Sequence, residues 1–127
     1  MIRLLRLVAS LLRLGTRPAA TAAPVRPPSL PLPAIAFAYP WIALTDGAAR
    51  ALFDRELRLE LVPGHPLHGI GATAIGRVDG EDDILFALDD GRLAVVHLTF
   101  IGKPEQSPAW PRCTLFATAA AFEAAQR

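Results

Sequence analysis

Between Ala72 and Phe100 the chain reads as three short apolar runs separated by two turn signals, and no other feature restricts the fold as much. Asp79-Gly80 and Asp89-Asp90-Gly91 each supply a glycine where a hairpin needs a positive φ. The runs around them, Ala72–Val78, Asp83–Leu88 and Leu93–Phe100, are rich in Val, Ile, Leu and Phe. Two tight antiparallel connections in succession predict a three-stranded β-meander.

The second turn sets the register. A three-residue turn with Gly91 at positive φ makes residues 88 and 92 its flanks. It puts Ile84, Phe86, Leu88, Ala94, Val96, Leu98 and Phe100 on one face. A two-residue turn scrambles that set and places His97 beside Ile84, so the three-residue form is expected. The opposite face then receives Leu85, Leu93 and Val95 together with Asp83, His97 and Thr99. Neither face is hydrophilic, and the second needs a cover: a partner subunit, the N-terminal segment, or the loop after the third strand.

Helical signals flank the meander. Thr45-Asp46 offers an N-cap to a helix that Pro63 ends, with Ala48, Leu52 and Leu59 near one face and Phe53, Leu57 and Leu61 on the adjoining one. Arg50, Asp54 and Arg58 are spaced for charge pairing. Residues 63–71 hold two prolines and three glycines and read as a loop. Thr114-Leu115-Phe116 reads as a short fourth, edge strand, and Thr118 as the cap of a C-terminal helix carrying Phe122. The expected fold class is α+β, a single domain over residues 45–127. At about 83 residues it sits near the lower end of what one core stabilises, which favours a homo-oligomer or a covering partner.

Residues 1–44 differ in kind. They carry five arginines, no acidic residue and seven of the twelve prolines, giving +5 against −4 for the rest of the chain. Arg3, Arg6, Arg13 and Arg17 form one helical stripe among leucines, a basic amphipathic pattern suited to an anionic membrane surface and similar in composition to an organellar transit peptide. The run is too short and too interrupted to span a bilayer, which takes about 20 apolar residues. The two inner arginines also fit a secretory h-region poorly, so the expected location is cytoplasmic, with peripheral membrane attachment, or export if residues 1–23 act as a signal, as alternatives. Residues 18–40 read as a Pro-rich spacer.

Four segments, GHPL (64–67), DDILFALDDG (82–91), VVHLTFIGK (95–103) and PAWP (108–111), together resemble a family of small uncharacterised bacterial proteins with the pattern GHPL, DDxLFxLxDG, VVHLTWxGK and PxxP. Phe100 stands where that pattern usually has Trp, and His68 where an aromatic is usual. The resemblance implies no activity, cofactor or partner.

Residues able to carry chemistry are few. His65 and His68 lie three apart in a loop, a weak metal signal without helical spacing. In the expected register His97 lies opposite Asp83, the geometry in which a carboxylate orients an imidazole for acid–base work; no nucleophile is evident beside it, and Cys113 is the only cysteine. Asp79, Glu81, Asp82 and Asp83 cluster at one turn and Asp89 and Asp90 at another, at opposite ends of the second strand. Trp110, between Pro108 and Pro111, reads either as an exposed anchor for a partner or as a plug of the core under the loop. No phosphate-binding glycine loop, serine elbow or basic-aromatic nucleic-acid face is present. These features favour a non-enzymatic protein-binding or oligomeric interaction module, without cofactor or nucleic acid, that uses Trp110, Leu93, Val95 and Thr99. The alternatives are a small hydrolase-like enzyme built on His97 and Asp83, with His65 nearby, and a protein attached to the membrane surface through residues 1–17.

Overall fold

The computed structural model describes residues 31–126. The basic stripe of Arg3, Arg6, Arg13 and Arg17 lies outside these residues. Five antiparallel strands pair in chain order: β1 (Trp41–Ala43), β2 (Ala72–Val78), β3 (Asp83–Leu88), β4 (Leu93–His97) and β5 (Arg112–Phe116). Helix α1 (Gly47–Glu60) joins β1 to β2, and α2 (Ala119–Ala125) follows β5. The class is α+β as expected. The sheet is wider than the sequence suggested, because residues 41–43 add a strand at one edge.

The β3–β4 pairing follows the three-residue turn. Gly91 has φ 91°, its N–H donates to the Leu88 carbonyl, and Asp83 stands opposite His97. The first face is the main core: Ile84, Phe86, Leu88, Ala94, Val96 and Leu98 pack with Phe53 and Leu57 of α1. Each of the Ile, Leu, Val and Phe side chains contributes about 1.5–3 kcal/mol by leaving water. Asp46 caps α1 by accepting from the Ala49 N–H at 2.9 Å, and α1 turns its Phe53/Leu57 face to the sheet. The same stripe carries Glu56 and Glu60, both fully buried.

The second face is covered by the chain itself. Ile75, Leu85, Ala87, Leu93 and Phe122 form a second core, closed by Leu32, Ile35, Phe37 and Trp41. The fold thus begins well before residue 45. The prolines of this segment prevent regular structure but not packing, and its apolar residues cross the sheet as a strap. Phe37, Trp41 and Phe116 all pack their rings against or beside Phe122. A bulge between Ala74 and Gly76 lets Phe37 approach so closely that a Cβ on Gly76 would lie 2.6 Å from its ring. The strap is tied to α2 by polar bonds as well. Ala36 N–H donates to Glu123 Oε2 (2.9 Å), Ala38 N–H donates to Gln126 Oε1 (3.2 Å), and Gln126 Nε2 donates to the Ala36 carbonyl (2.6 Å).

The third strand ends at His97 rather than at Phe100, for an electrostatic reason. Glu60 accepts from the N–H groups of Thr99 and Phe100, each at 3.0 Å, and Glu56 from Gly102 at 3.1 Å. The backbone leaves the sheet to reach these carboxylates, and Phe100 takes φ 55° to do so.

Candidate functional site

Of the residues singled out by the sequence, His65, Asp83, Val95 and His97 line one groove at the β5 side of the sheet. Register places Asp83, His97 and Arg112 in one row across β3, β4 and β5, with Val95 and Thr114 in the next. Because a carboxylate only accepts, His97 Nδ1–H donates to Asp83 Oδ1 at 2.8 Å, which fixes the ring and leaves Nε2 available. An open groove of ≈ 620 Å³ runs along this row and round the start of β5, past Pro108, Pro111 and Cys113.

His65 also lines the groove, in a different role. It is buried; its Nε2–H donates to the Pro111 carbonyl at 2.7 Å and its Nδ1 accepts from the Leu67 N–H at 3.0 Å. Both ring nitrogens are used, so His65 joins the 63–70 loop to the start of β5 and offers nothing to a substrate or metal. His68 is exposed on the same loop. Among the described residues, no group of three or more His, Cys, Asp or Glu side chains is placed to hold a metal ion. Of the acidic residues, Asp90 is paired with Arg92 at 2.7 Å.

A nucleophile is not brought to His97. Cys113 pairs with Val96, so its side chain lies on the opposite face, against the main core. Burial pushes its thiol pKa up, away from thiolate. Thr99 is likewise engaged, donating its hydroxyl to Glu105 Oε1. Leu93 is buried in the second core and Val95 is half-buried. These last two residues sit under the chain's own strap and helix because the second face found its cover within the molecule. Trp110 is exposed, with the Arg112 guanidinium 4.8 Å from its ring centroid, and it borders a further hollow with Ile101 and Lys103.

The two edges of the sheet are finished differently. On the β1 side, the part of β2 that β1 does not reach is sealed by α1: Asp54 Oδ1 accepts from the Ala74 N–H at 2.6 Å. Burial, offset by that bond and by Arg58 and Arg50, raises the Asp54 pKa to about 6. On the other side, Leu88 N–H bonds the Arg92 carbonyl and Leu98 N–H bonds the Asp82 carbonyl, so the even-numbered residues of β4 face β3 and the odd-numbered ones face β5. Their partners Arg112, Thr114 and Phe116 face inward, and Pro111, Cys113 and Leu115 present their backbone outward. His65 seals the Pro111 carbonyl. Cys113 and Leu115 receive no such seal among the described residues, and Leu115 is 39% exposed.

The buried pair Glu56 and Glu60 escaped sequence reasoning, although two carboxylates four apart, interleaved with Phe53 and Leu57, are a legible signal. Glu56 Oε2 is buried with no donor. Burial, and then the side-chain hydrogen bond to Glu56, push the Glu60 pKa up to about 8. Burial and the neighbouring carboxylate thus favour one proton held between the two side chains, which relieves the repulsion of the pair. Together they pin the segment 99–102 that leads to the Trp110 loop.

No helix among the described residues is long and apolar enough to cross a membrane. No family model, curated protein or solved structure matches this chain.

Proposed function

We propose that this chain is a protein-interaction module that binds along the β5 edge and the adjoining Trp110 loop. The observation that carries the reading is the unsealed backbone of Cys113 and Leu115 on the outer side of β5; at the far side of the sheet, Asp54 of α1 closes the part of β2 that β1 leaves uncovered. An exposed strand edge is a template for another strand, and natural proteins guard such edges unless they are used. Leu115 and Trp110, both exposed, supply apolar contacts beside it. The binding surface is thus an edge and a loop rather than the sheet face.

The test is association of the full chain by sedimentation and cross-linking, with Trp110→Ala as the probe. An aromatic anchor removed from an interface weakens binding by about 2 kcal/mol, roughly 30-fold. Association unchanged by Trp110→Ala together with Leu115→Ser removes the reading.

A second reading rests on the Asp83–His97 hydrogen bond at the groove: a small hydrolase-like enzyme in which His97 Nε2 transfers a proton. Turnover of simple activated esters that is lost in His97→Gln supports it, and equal rates for the two proteins dismiss it.

A further inference from the structure

We infer that the occupant of the β5 edge is a second copy of the chain, joined as an antiparallel β5–β5 pair about a twofold axis at Thr114. The inference rests on the reading that this edge binds protein, and it adds the partner and the register. Cys113 and Leu115 are the outward-facing residues of the strand. An antiparallel pair forms ladder bonds only where outward residues of both strands face one another. Setting the axis at Thr114 places Cys113 against the partner's Leu115, and Leu115 against the partner's Cys113. Every free N–H and C=O within the strand is then used, in four reciprocal bonds. Moving the axis to Cys113 sets Leu115 against Pro111, which has no N–H and whose carbonyl already accepts from His65. Moving it to Leu115 leaves Cys113 facing Ala117, beyond the strand.

The side chains are self-complementary in the same register. Cys113 and Leu115 meet as an apolar pair on the main-core face, covering the exposed Leu115. On the other face Thr114 meets its twofold mate, a favourable β-branched pair, and Arg112 meets the ring of the partner's Phe116. No Lys, Pro or bulge interrupts Cys113–Leu115, the devices that keep other edges apart. The interface is isologous and closes at two copies, yielding one ten-stranded sheet.

A charge swap at the axis tests this. Thr114 is exposed, so Thr114→Lys and Thr114→Glu leave the fold intact by thermal melting while setting like charges opposite one another. In analytical ultracentrifugation the full-length parent chain is expected to sediment as a dimer, each variant alone as a monomer, and the equimolar mixture as a dimer again. Hydrogen exchange is expected to show the Cys113 and Leu115 amides protected only in the dimeric samples. A parent chain that stays monomeric at all concentrations overturns the inference, and if it still binds another protein in a Trp110-dependent way the broader reading stands without it. A dimer that both variants preserve also overturns it, because the contact then lies elsewhere.

Discussion

Glu60 is the residue whose chemistry departs furthest from its exposed counterpart, and its sign is definite. Its pKa rises from 4.5 to about 8 on folding, so the folded chain holds this proton more tightly than the unfolded one. The stabilisation is complete below pH 4.5 and is lost as pH climbs towards 8, by at most about 1.4 kcal/mol per pH unit. Asp54 acts in the same direction over the lower part of that window, between 3.8 and about 6. Urea unfolding at a series of pH values should therefore show stability falling from acid to mildly alkaline solution. Glu60→Gln places an amide donor beside Glu56 and keeps one acceptor for the loop. It is expected to flatten the fall between pH 6.5 and 8, where Asp54 no longer contributes; an unchanged slope there would show that the pair shares no proton. His65 makes the complementary point at this scale. Its loop position suggested a ligand, but only the tertiary contact with Pro111, 46 residues away, reveals that both its nitrogens are spent.

Among the elements, those encoded by local chemistry were the ones legible in advance. Gly91 and the Asp89-Asp90 turn specify the β3–β4 register, Asp46 and Thr118 specify where the helices begin, and Asp83 meets His97 because that register requires it. The strap and β1 were not legible. A segment with Pro31, Pro33 and Pro40 has the composition of a spacer, and only the second face of the sheet gives its Ile35, Phe37 and Trp41 a place to pack. Strand β4 was overestimated for the same kind of reason: Leu98 to Phe100 carries a strand-like pattern, which cannot register that two buried carboxylates on α1 claim the backbone N–H groups. The strap has its own test in Gly76→Ala, where the added methyl meets the Phe37 ring. Denaturant titration is expected to show a loss of about 1–3 kcal/mol, the range for overpacking. Combining it with Phe37→Ala should give a total smaller than the sum of the two single losses, and strict additivity would mean that strap and bulge do not touch.

At the level of the whole molecule, the described residues form three layers: α1, the sheet, then the strap with α2. Each face of the sheet has its own core, and the second depends on residues that sequence reasoning assigned to an extension. A chain begun at Thr45 therefore loses β1 and leaves Ile75, Leu85, Leu93 and Phe122 without their cover. It is expected to bind a hydrophobic dye and to lose its cooperative thermal transition, whereas a sharp transition at the parental temperature would show the strap to be dispensable. The hydrogen bonds between Ala36, Ala38 and the Glu123–Gln126 end of α2 bring together positions about 90 residues apart. On a translating ribosome, residues 32–41 have no helix to receive them until residue 126 has cleared the exit tunnel. The main core can gather before then, but the second is shut only when the Glu123–Gln126 turn of α2 reaches the strap, leaving one face of a nascent sheet open to chaperones until that moment.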